Sequence, residues 1–305
     1  MATLAIVNPV AGKGGGREVW RGLRAAVAEV RGYECVETED VGHARELARR
    51  AAASGYERVI AVGGDGTVFE VANGLAKTPT ALAIIPVGTA NDTAANLGVP
   101  RDAVVAARLA VRGMDTPIDL GEIHQARSNT YFVGVAGFGF DAEVAWRVNH
   151  ANVHWARSLG GTGPYLSAVL QCLLQYRSSR IRISIDERVV DRRMFLVAIA
   201  NTPSYGGGMR IAPEAVPYDG LLDVCLVADV RRLDVLRLLP RMYSGAHVSH
   251  RAVQVVRCRE LSADADQRVR CHADGEPVGE LPVRFGIAPG GLRCVTGVAS
   301  ARTTT

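Results

Sequence analysis

The stretch Arg58-Val59-Ile60-Ala61-Val62-Gly63-Gly64-Asp65-Gly66-Thr67-Val68-Phe69-Glu70 runs from unbroken apolar character into a glycine-rich turn. A short apolar run without alternation reads as a strand buried on both faces, as in a parallel sheet. Beyond the turn, Val68, Val71, Ala72 and Leu75 recur at helical spacing. Glycine permits the tight reversal and lets the backbone come close to a ligand. The same order of strand, turn and helix occurs twice more. Residues 4–7 lead into Asn8-Pro9-Val10-Ala11-Gly12-Lys13-Gly14-Gly15-Gly16, and residues 81–85 into Pro86-Val87-Gly88-Thr89-Ala90-Asn91-Asp92. Backbone N–H groups at helix starts attract anions. Three such turns at the ends of neighbouring strands predict one shared site for a polyphosphate.

Further elements extend this pattern on both sides. A strand at 33–37 and helices at 17–31, 43–53, 92–97 and 102–112 give an α/β order with a mainly parallel sheet. Ligands of such sheets sit at the carboxyl ends of the strands, where the three turns lie. From about residue 119 the texture changes. Strand-like runs follow one another at 131–136, 181–185, 194–200, 221–227, 253–259, 267–271, 283–287 and 292–295. Asp186-Glu187 and Glu276-Pro277 suit turns, and helices are predicted at 141–157 and 164–176. Many consecutive strands predict an antiparallel β-rich sandwich. The expected organisation is a nucleotide-binding α/β domain at 1–120 and a β-rich domain at 121–305, ending in a frayed tail at 299–305.

Composition bounds the function. The chain has 305 residues, 48% apolar, with a net charge of +4 carried by arginine; Lys13 and Lys77 are its only lysines. That excess is mild and spread out, which argues against a nucleic-acid partner. No apolar run reaches the roughly 18–20 residues that span a bilayer. The start, Met1-Ala2-Thr3-Leu4, lacks the basic segment of a signal peptide. Cys35, Cys172, Cys225, Cys258, Cys271 and Cys294 are scattered without a Cys-x-x-Cys pair, the usage of reduced thiols. A cytoplasmic protein, at most peripheral to the inner face of a membrane, is expected.

The turns fit neither standard phosphate fingerprint. A Walker loop ending at Gly12-Lys13 would need glycine where Val7 stands and Ser or Thr where Gly14 stands. The dinucleotide pattern starting at Gly64 meets Phe69 in place of its third glycine. Asp65 adds negative charge to a site otherwise suited to anions, a conflict that Mg²⁺ or its water would resolve. Asn91-Asp92 repeats the arrangement, although Asp92 would also serve as a plain helix N-cap, as would Thr67.

Together, Asn8-Pro9…Gly12, Gly63-Gly64-Asp65-Gly66-Thr67 and Pro86-x-Gly88-Thr89-x-Asn91-Asp92 resemble the catalytic domain of the diacylglycerol kinase and lipid kinase family. That family includes soluble bacterial diacylglycerol kinases and, more distantly, sphingosine kinases. Gly206-Gly207-Gly208-Met209-Arg210-Ile211-Ala212-Pro213, Tyr218-Asp219-Gly220-Leu221-Leu222-Asp223-Val224 and Asp274-Gly275-Glu276-Pro277 resemble its C-terminal segments, so the likeness covers nearly the whole chain. The resemblance implies an ATP- and Mg²⁺-dependent kinase acting on a lipid alcohol, most simply diacylglycerol, with a homodimer as one option. ATP would contact Asn8, Pro9, Val10, Ala11 and Gly12, then Thr38, then Gly64, Asp65, Gly66, Thr67, Val68, Phe69 and Glu70, and finally Thr89. Asp65 and Asp92 would join the Mg²⁺–water network. Asp274 would be the general base, with Glu276 pointing the same way if that segment is extended. Asp274-Gly275 is equally the composition of a tight turn. A structural Mg²⁺ would take Val216, Asp219 and Leu221 as ligands.

The remaining features are blander. His150 and His154 stand four apart on a predicted helix without the glutamate of a zinc-protease motif, and His247 and His250 fall in an expected loop. Arg231, Arg232, Arg237, Arg241 and Arg251 flank Leu233, Val235, Leu236, Leu238 and Leu239, the pattern of an interfacial helix or of a core helix with a solvated arginine face. The run 164–176 would line an acyl pocket or simply join the core; Trp146 and Trp155 favour neither reading. Other readings stay open: a kinase of sphingoid or other lipid alcohols, an NAD kinase sharing the Gly-Gly-Asp-Gly-Thr turn, and a nucleotide- or lipid-binding regulator without catalysis.

Overall fold

The structure, a computed structural model, describes residues 2–27, 33–125, 128–150 and 163–297. His154, Trp155 and the tail at 299–305 lie outside the described residues, as does the end of the helix expected at 17–31. The chain forms two compact units. The first holds the chain up to Leu120 and again from Ala288, and the second is Gly121–Ile287.

In the first unit β1 (Thr3–Val7), β2 (Tyr33–Glu37), β3 (Arg58–Gly63) and β4 (Ala81–Pro86) pair in parallel in the order β4-β3-β1-β2. Every residue of β1, β3 and β4 is buried, as their unbroken apolar character requires. The connections are α1 (Ala11–Gly14), α2 (Gly16–Val27), α3 (His43–Ala53), α4 (Asp65–Leu75), α5 (Asp92–Asn96) and α6 (Ala103–Arg112). Trp20 and Leu23 of α2 and Ala107 and Ala110 of α6 share a core with Val7, Ile60 and Ile85. Each large apolar side chain so buried contributes about 1.5–3 kcal/mol.

The end of the chain returns to this sheet. In β15 (Val283–Val295), Arg293 and Cys294 lie parallel to Ala81 and Leu82 of β4. Arg293 meets Asp115 at 2.6 Å, and Asp119 accepts the Gly290 N–H at 2.7 Å. The stretch from Ala288 therefore belongs with the first unit, which corrects its expected place in a 121–305 domain. The physical reason is that the edge of β4 needs hydrogen-bonding partners. Thr67 is also not a cap: α4 begins at Asp65, after Gly64, and Thr67 sits within its first turn.

The second unit is antiparallel. The long β9 (Arg188–Ala200) pairs through its first half with β8 (Ser179–Ile185), and through its second half with β7 (Val135–Gly139) and β10 (Leu222–Ala228). Its exposure follows suit, with arginine-rich 188–193 mostly exposed and 194–200 buried. On the far side of β7 lies β13 (Arg270–Ala273), which forms a hairpin with β14 (Glu276–Glu280). The edge of β10 is covered by β11 (Val253–Cys258), and β12 (Glu260–Asp264) joins β8 to the first part of β15. Helices α7 (Phe140–His150), α8 (Gly163–Gln175) and α9 (Arg232–Ser244) complete the unit. Phe140, Phe195 and Tyr176 form an aromatic knot with ring centroids 4.6–5.5 Å apart.

Three expectations change here. The run 131–136 is two strands, β6 (Ser128–Phe132) and β7, interrupted at Val133-Gly134. Glu276-Pro277 lies inside β14; the turn is Asp274-Gly275, with φ of 49° and 85°, the positive pair of a type I′ hairpin turn. A strand over Asp115–Gln125 (β5) was not anticipated, because Pro117 and Gly121 disguise it; its second half pairs with β6.

Candidate active site

The three glycine turns meet in the first unit, and the glycines are what allow it. A Cβ on Gly88 would lie 2.6 Å from the Gly64 Cα, and one on Gly12 2.4 Å from the Val87 carbonyl oxygen. Real Cβ atoms do not approach so closely, so these backbones touch only because the side chains are absent. Side chains then lock the turns together. Asn8 Nδ2 donates to Thr67 Oγ1 at 3.0 Å, and Asn8 Oδ1 accepts the Val10 N–H at 3.1 Å. Asn91 folds back on Gly88, accepting its N–H at 2.9 Å and donating to its carbonyl at 2.8 Å. Asp65 Oδ1 accepts the Thr93 N–H at 3.1 Å, so the second turn is tied to the first turn of α5, where Asp92 stands. Thr38 follows β2 with its N–H on the Val7 carbonyl at 2.9 Å, and Thr89 is exposed.

Other expected nucleotide contacts also have partners within the fold. Val68 is buried in the core, and its N–H bonds to the Gly64 carbonyl at 3.0 Å. Phe69 is half-buried, and its carbonyl accepts from Asn73 Nδ2 at 2.9 Å. Both oxygens of Glu70 lie on the start of α3, accepting the Gly42 N–H at 2.8 Å and the Ala44 N–H at 3.1 Å. A carboxylate there complements the unpaired donors and the positive end of the helix. The Val68 side chain and the Glu70 carboxylate thus have partners within the fold. Pro9, Ala11 and Gly66 are half-buried on the turns, and Val10 and Gly12 are exposed.

In the second unit the interrupted strand explains Asp274. Its Oδ2 accepts the Val133 N–H at 2.8 Å, and its Oδ1 accepts the Gly134 and Val135 N–H groups at 2.9 and 3.0 Å. A Cβ on Gly134 would stand 2.9 Å from that Oδ1. The Asp274 N–H bonds to the Val135 carbonyl at 2.9 Å, and Asn201 Nδ2 holds the Val133 carbonyl at 2.8 Å. The carboxylate is half-buried with both oxygens oriented by backbone donors. Glu276 does not follow Asp274 along one extended face, because the hairpin turn separates them and Glu276 pairs across it with Ala273.

One feature beside this carboxylate escaped the sequence reading. His272 Nε2 lies 3.1 Å from Asp141 Oδ2, both side chains are buried, and the Tyr205 ring stacks on His272 at 6.2 Å. Gly137 makes room for the pair, since a Cβ there would stand 2.7 Å from Asp141 Oδ2. Asp141 also borders a narrow apolar cavity, about 60 Å³ of free space, walled by Phe140, Phe195, Val227, Val235, Leu238 and Met242. Met209 and Ile211, which follow the glycine triplet 206–208, line it too.

Among the described residues no three His, Cys, Asp or Glu side chains gather into a metal site. The loop holding Val216, Asp219 and Leu221 is a compact turn, with the Tyr218 N–H on the Val216 carbonyl at 2.9 Å and the Leu221 N–H on Asp219 Oδ1 at 3.0 Å. Its donors are all hard oxygens, one carboxylate and two carbonyls, which suits Mg²⁺. The six cysteines are free thiols; burial pushes Cys172 up to about 11 and Cys225, Cys258 and Cys294 up to about 12, so these four are inert at neutral pH. His247 is buried rather than in an open loop, its Nε2 3.1 Å from the Ile211 carbonyl.

A parallel sheet with three interlocked glycine turns, followed by an antiparallel unit carrying an oriented carboxylate, defines a phosphotransferase of the lipid kinase class. Residues 2–123 match the diacylglycerol kinase catalytic domain, and residues 134–296 match the YegS C-terminal NAD kinase beta sandwich-like domain. The chain is 34% identical over 296 residues to a diacylglycerol kinase of Mycobacterium tuberculosis, covering 95% of this chain and 93% of that one. It is 30% identical over 289 residues to the diacylglycerol kinase of Bacillus subtilis, covering 92% and 91%. A crystal structure from Bacillus anthracis str. Sterne, of a protein assigned as a diacylglycerol kinase, superposes with a TM-score of 0.82 at 26% identity, covering 97% and 95%. The chain belongs to the bacterial diacylglycerol kinase family.

Proposed function

We propose that this protein transfers the γ-phosphate of ATP to the free hydroxyl of diacylglycerol, giving phosphatidic acid. The observation that carries the reading is Asp274, whose two oxygens are fixed by three backbone N–H donors at 2.8–3.0 Å. A hydroxyl proton passes to this carboxylate as the hydroxyl oxygen bonds to the γ-phosphorus, and the bond from phosphorus to the ADP oxygen breaks. Phosphoryl transfer depends chiefly on positioning and on charge neutralisation. An immobile acceptor suits the first need. The converging turns, with Asn8, Gly12, Gly64 and Thr89, hold the triphosphate for the second. Asp65 and Asp92 would hold Mg²⁺ or its waters, whose chemistry would be to offset phosphate charge, and Asp219 with the Val216 and Leu221 carbonyls would hold a separate, structural ion.

The apolar cavity of the second unit, whose polar side chains are Asp141, Tyr205 and His247, suits an acyl chain. It favours a lipid alcohol over the ribose of NAD as acceptor. The scattered, unpaired cysteines support a cytoplasmic enzyme working against the inner face of the membrane. The test is transfer of label from ATP, with Mg²⁺, to diacylglycerol in mixed micelles. Asp274→Asn is expected to lower kcat by about 10²–10⁴-fold, the usual contribution of a general base, while ATP still binds. Full activity in a folded Asp274→Asn enzyme would remove Asp274 from the role, and absence of transfer to any lipid alcohol would sink the reading.

A further inference from the structure

Resting on the lipid kinase reading, we infer that α9 is the surface by which the protein docks on an anionic bilayer. The helix is apolar on two opposite faces. Val235, Leu238 and Met242 point inward and wall the cavity. On the other side Leu233, Leu236 and Tyr243 are 66%, 43% and 55% exposed. At about 100° per residue these three and Pro240 form one stripe along the helix. A helix that merely covered a core would be polar on that face.

Charge says what the stripe meets. Arg232 lies on one flank of it, and Arg237 and Arg241 lie on the other; Arg231 precedes the helix, and Arg251 follows the short 3₁₀ turn Ala246–Ser249. All five are exposed. The acidic residues of the segment are Asp229 and Asp234, and Asp234 engages Arg237 at 3.5 Å. Apolar side chains between arginines fit a surface that is anionic outside and hydrocarbon beneath. The stripe enters the acyl layer, and the arginines stay among the headgroups. The same helix then separates the bilayer from the cavity, so an acyl chain has one wall to pass. The free space of about 60 Å³ is small for such a chain, which enters by moving that wall.

The experiment is flotation of the whole protein, without nucleotide, on vesicles of phosphatidylcholine alone or with an equal part of phosphatidylglycerol. The protein is expected to float with the anionic vesicles, to stay behind with the neutral ones, and to be released by salt. Each arginine near an anionic surface is worth about fivefold in partition, so Arg237→Glu with Arg241→Glu should weaken binding more than tenfold. Leu233→Glu with Leu236→Glu should weaken it about tenfold or more, by removing the inserted side chains. Both pairs are exposed, so the melting temperature and the turnover of a short-chain, water-dispersed diacylglycerol should stay unchanged. Three outcomes would overturn the assignment: no binding to anionic vesicles, equal binding to neutral ones, or wild-type affinity in both double variants. Vesicle binding that follows the expected pattern in a protein without kinase activity upholds the docking surface while the kinase reading fails. Activity with undiminished binding in the variants does the reverse.

Discussion

Glu70 sits within the segment 64–70 yet gives both its oxygens to the first N–H groups of α3. Glu70→Gln removes the charge and one acceptor, and should lower the unfolding free energy by about 1 kcal/mol, the usual scale for a helix cap, with ATP affinity unchanged. Thermal melts beside calorimetric ATP titration decide it; weakened ATP binding at unaltered stability would return Glu70 to the nucleotide. Asp274 is the opposite case. Its sequence, Asp-Gly, is that of a turn, and a turn is what it forms; the role proposed for the carboxylate rests on what the turn faces. Those partners, Val133 to Val135, lie 139–141 positions away along the chain. No local pattern could supply them. Only the likeness to other kinases marked Asp274, and nothing marked His272 or the Asp141 beneath it.

Among the elements, the legible ones were those with one rule throughout. Strands β1, β3 and β4 are buried on both faces, so they read as solid apolar runs, and the glycine turns between them and their helices stand out. Gly88→Ala should test whether contact between turns is what matters. The new Cβ would press on Gly64 Cα at 2.6 Å and on Asn91 Oδ1 at 2.7 Å, so the two turns must part: ATP affinity should fall at least tenfold, and the melting temperature should fall with it. Undiminished ATP affinity would show that the turns need not touch. Less legible were elements that break their own rule. Residues 283–295 looked like two strands because Ala288-Pro289-Gly290-Gly291 has the composition of a turn. The strand in fact continues, with Gly290 at a φ of 63° and its N–H diverted to Asp119, an irregularity of the kind that bulges introduce. The run 131–136 erred the other way, since its apolar residues hide the break whose N–H groups hold Asp274.

At the scale of the whole molecule, the order of the chain and the order of the sheet disagree. The first unit needs residues from beyond the second, including Leu292, Cys294 and Val295, all buried. A chain ended at Ile287 should therefore lose hydrogen-exchange protection in β1 and β3 and lose ATP binding, while β9 keeps its protection. Protection retained throughout the first unit would show that the returning strand is dispensable. Periodicity alone did not reveal this return, because the pairing of Arg293 with Ala81 joins segments far apart in sequence.

The returning strand also fixes a timetable for biosynthesis. The ribosome releases β1 to β4 first, but the neighbour of β4 emerges only after all of Gly121–Ile287 has been made. The sandwich thus has its full complement of chain while the older α/β layer still lacks its edge. Domains that emerge first usually fold first; in this protein the earliest residues to be translated are the last to be sealed, and a nascent chain stalled before Ala288 would hold no nucleotide.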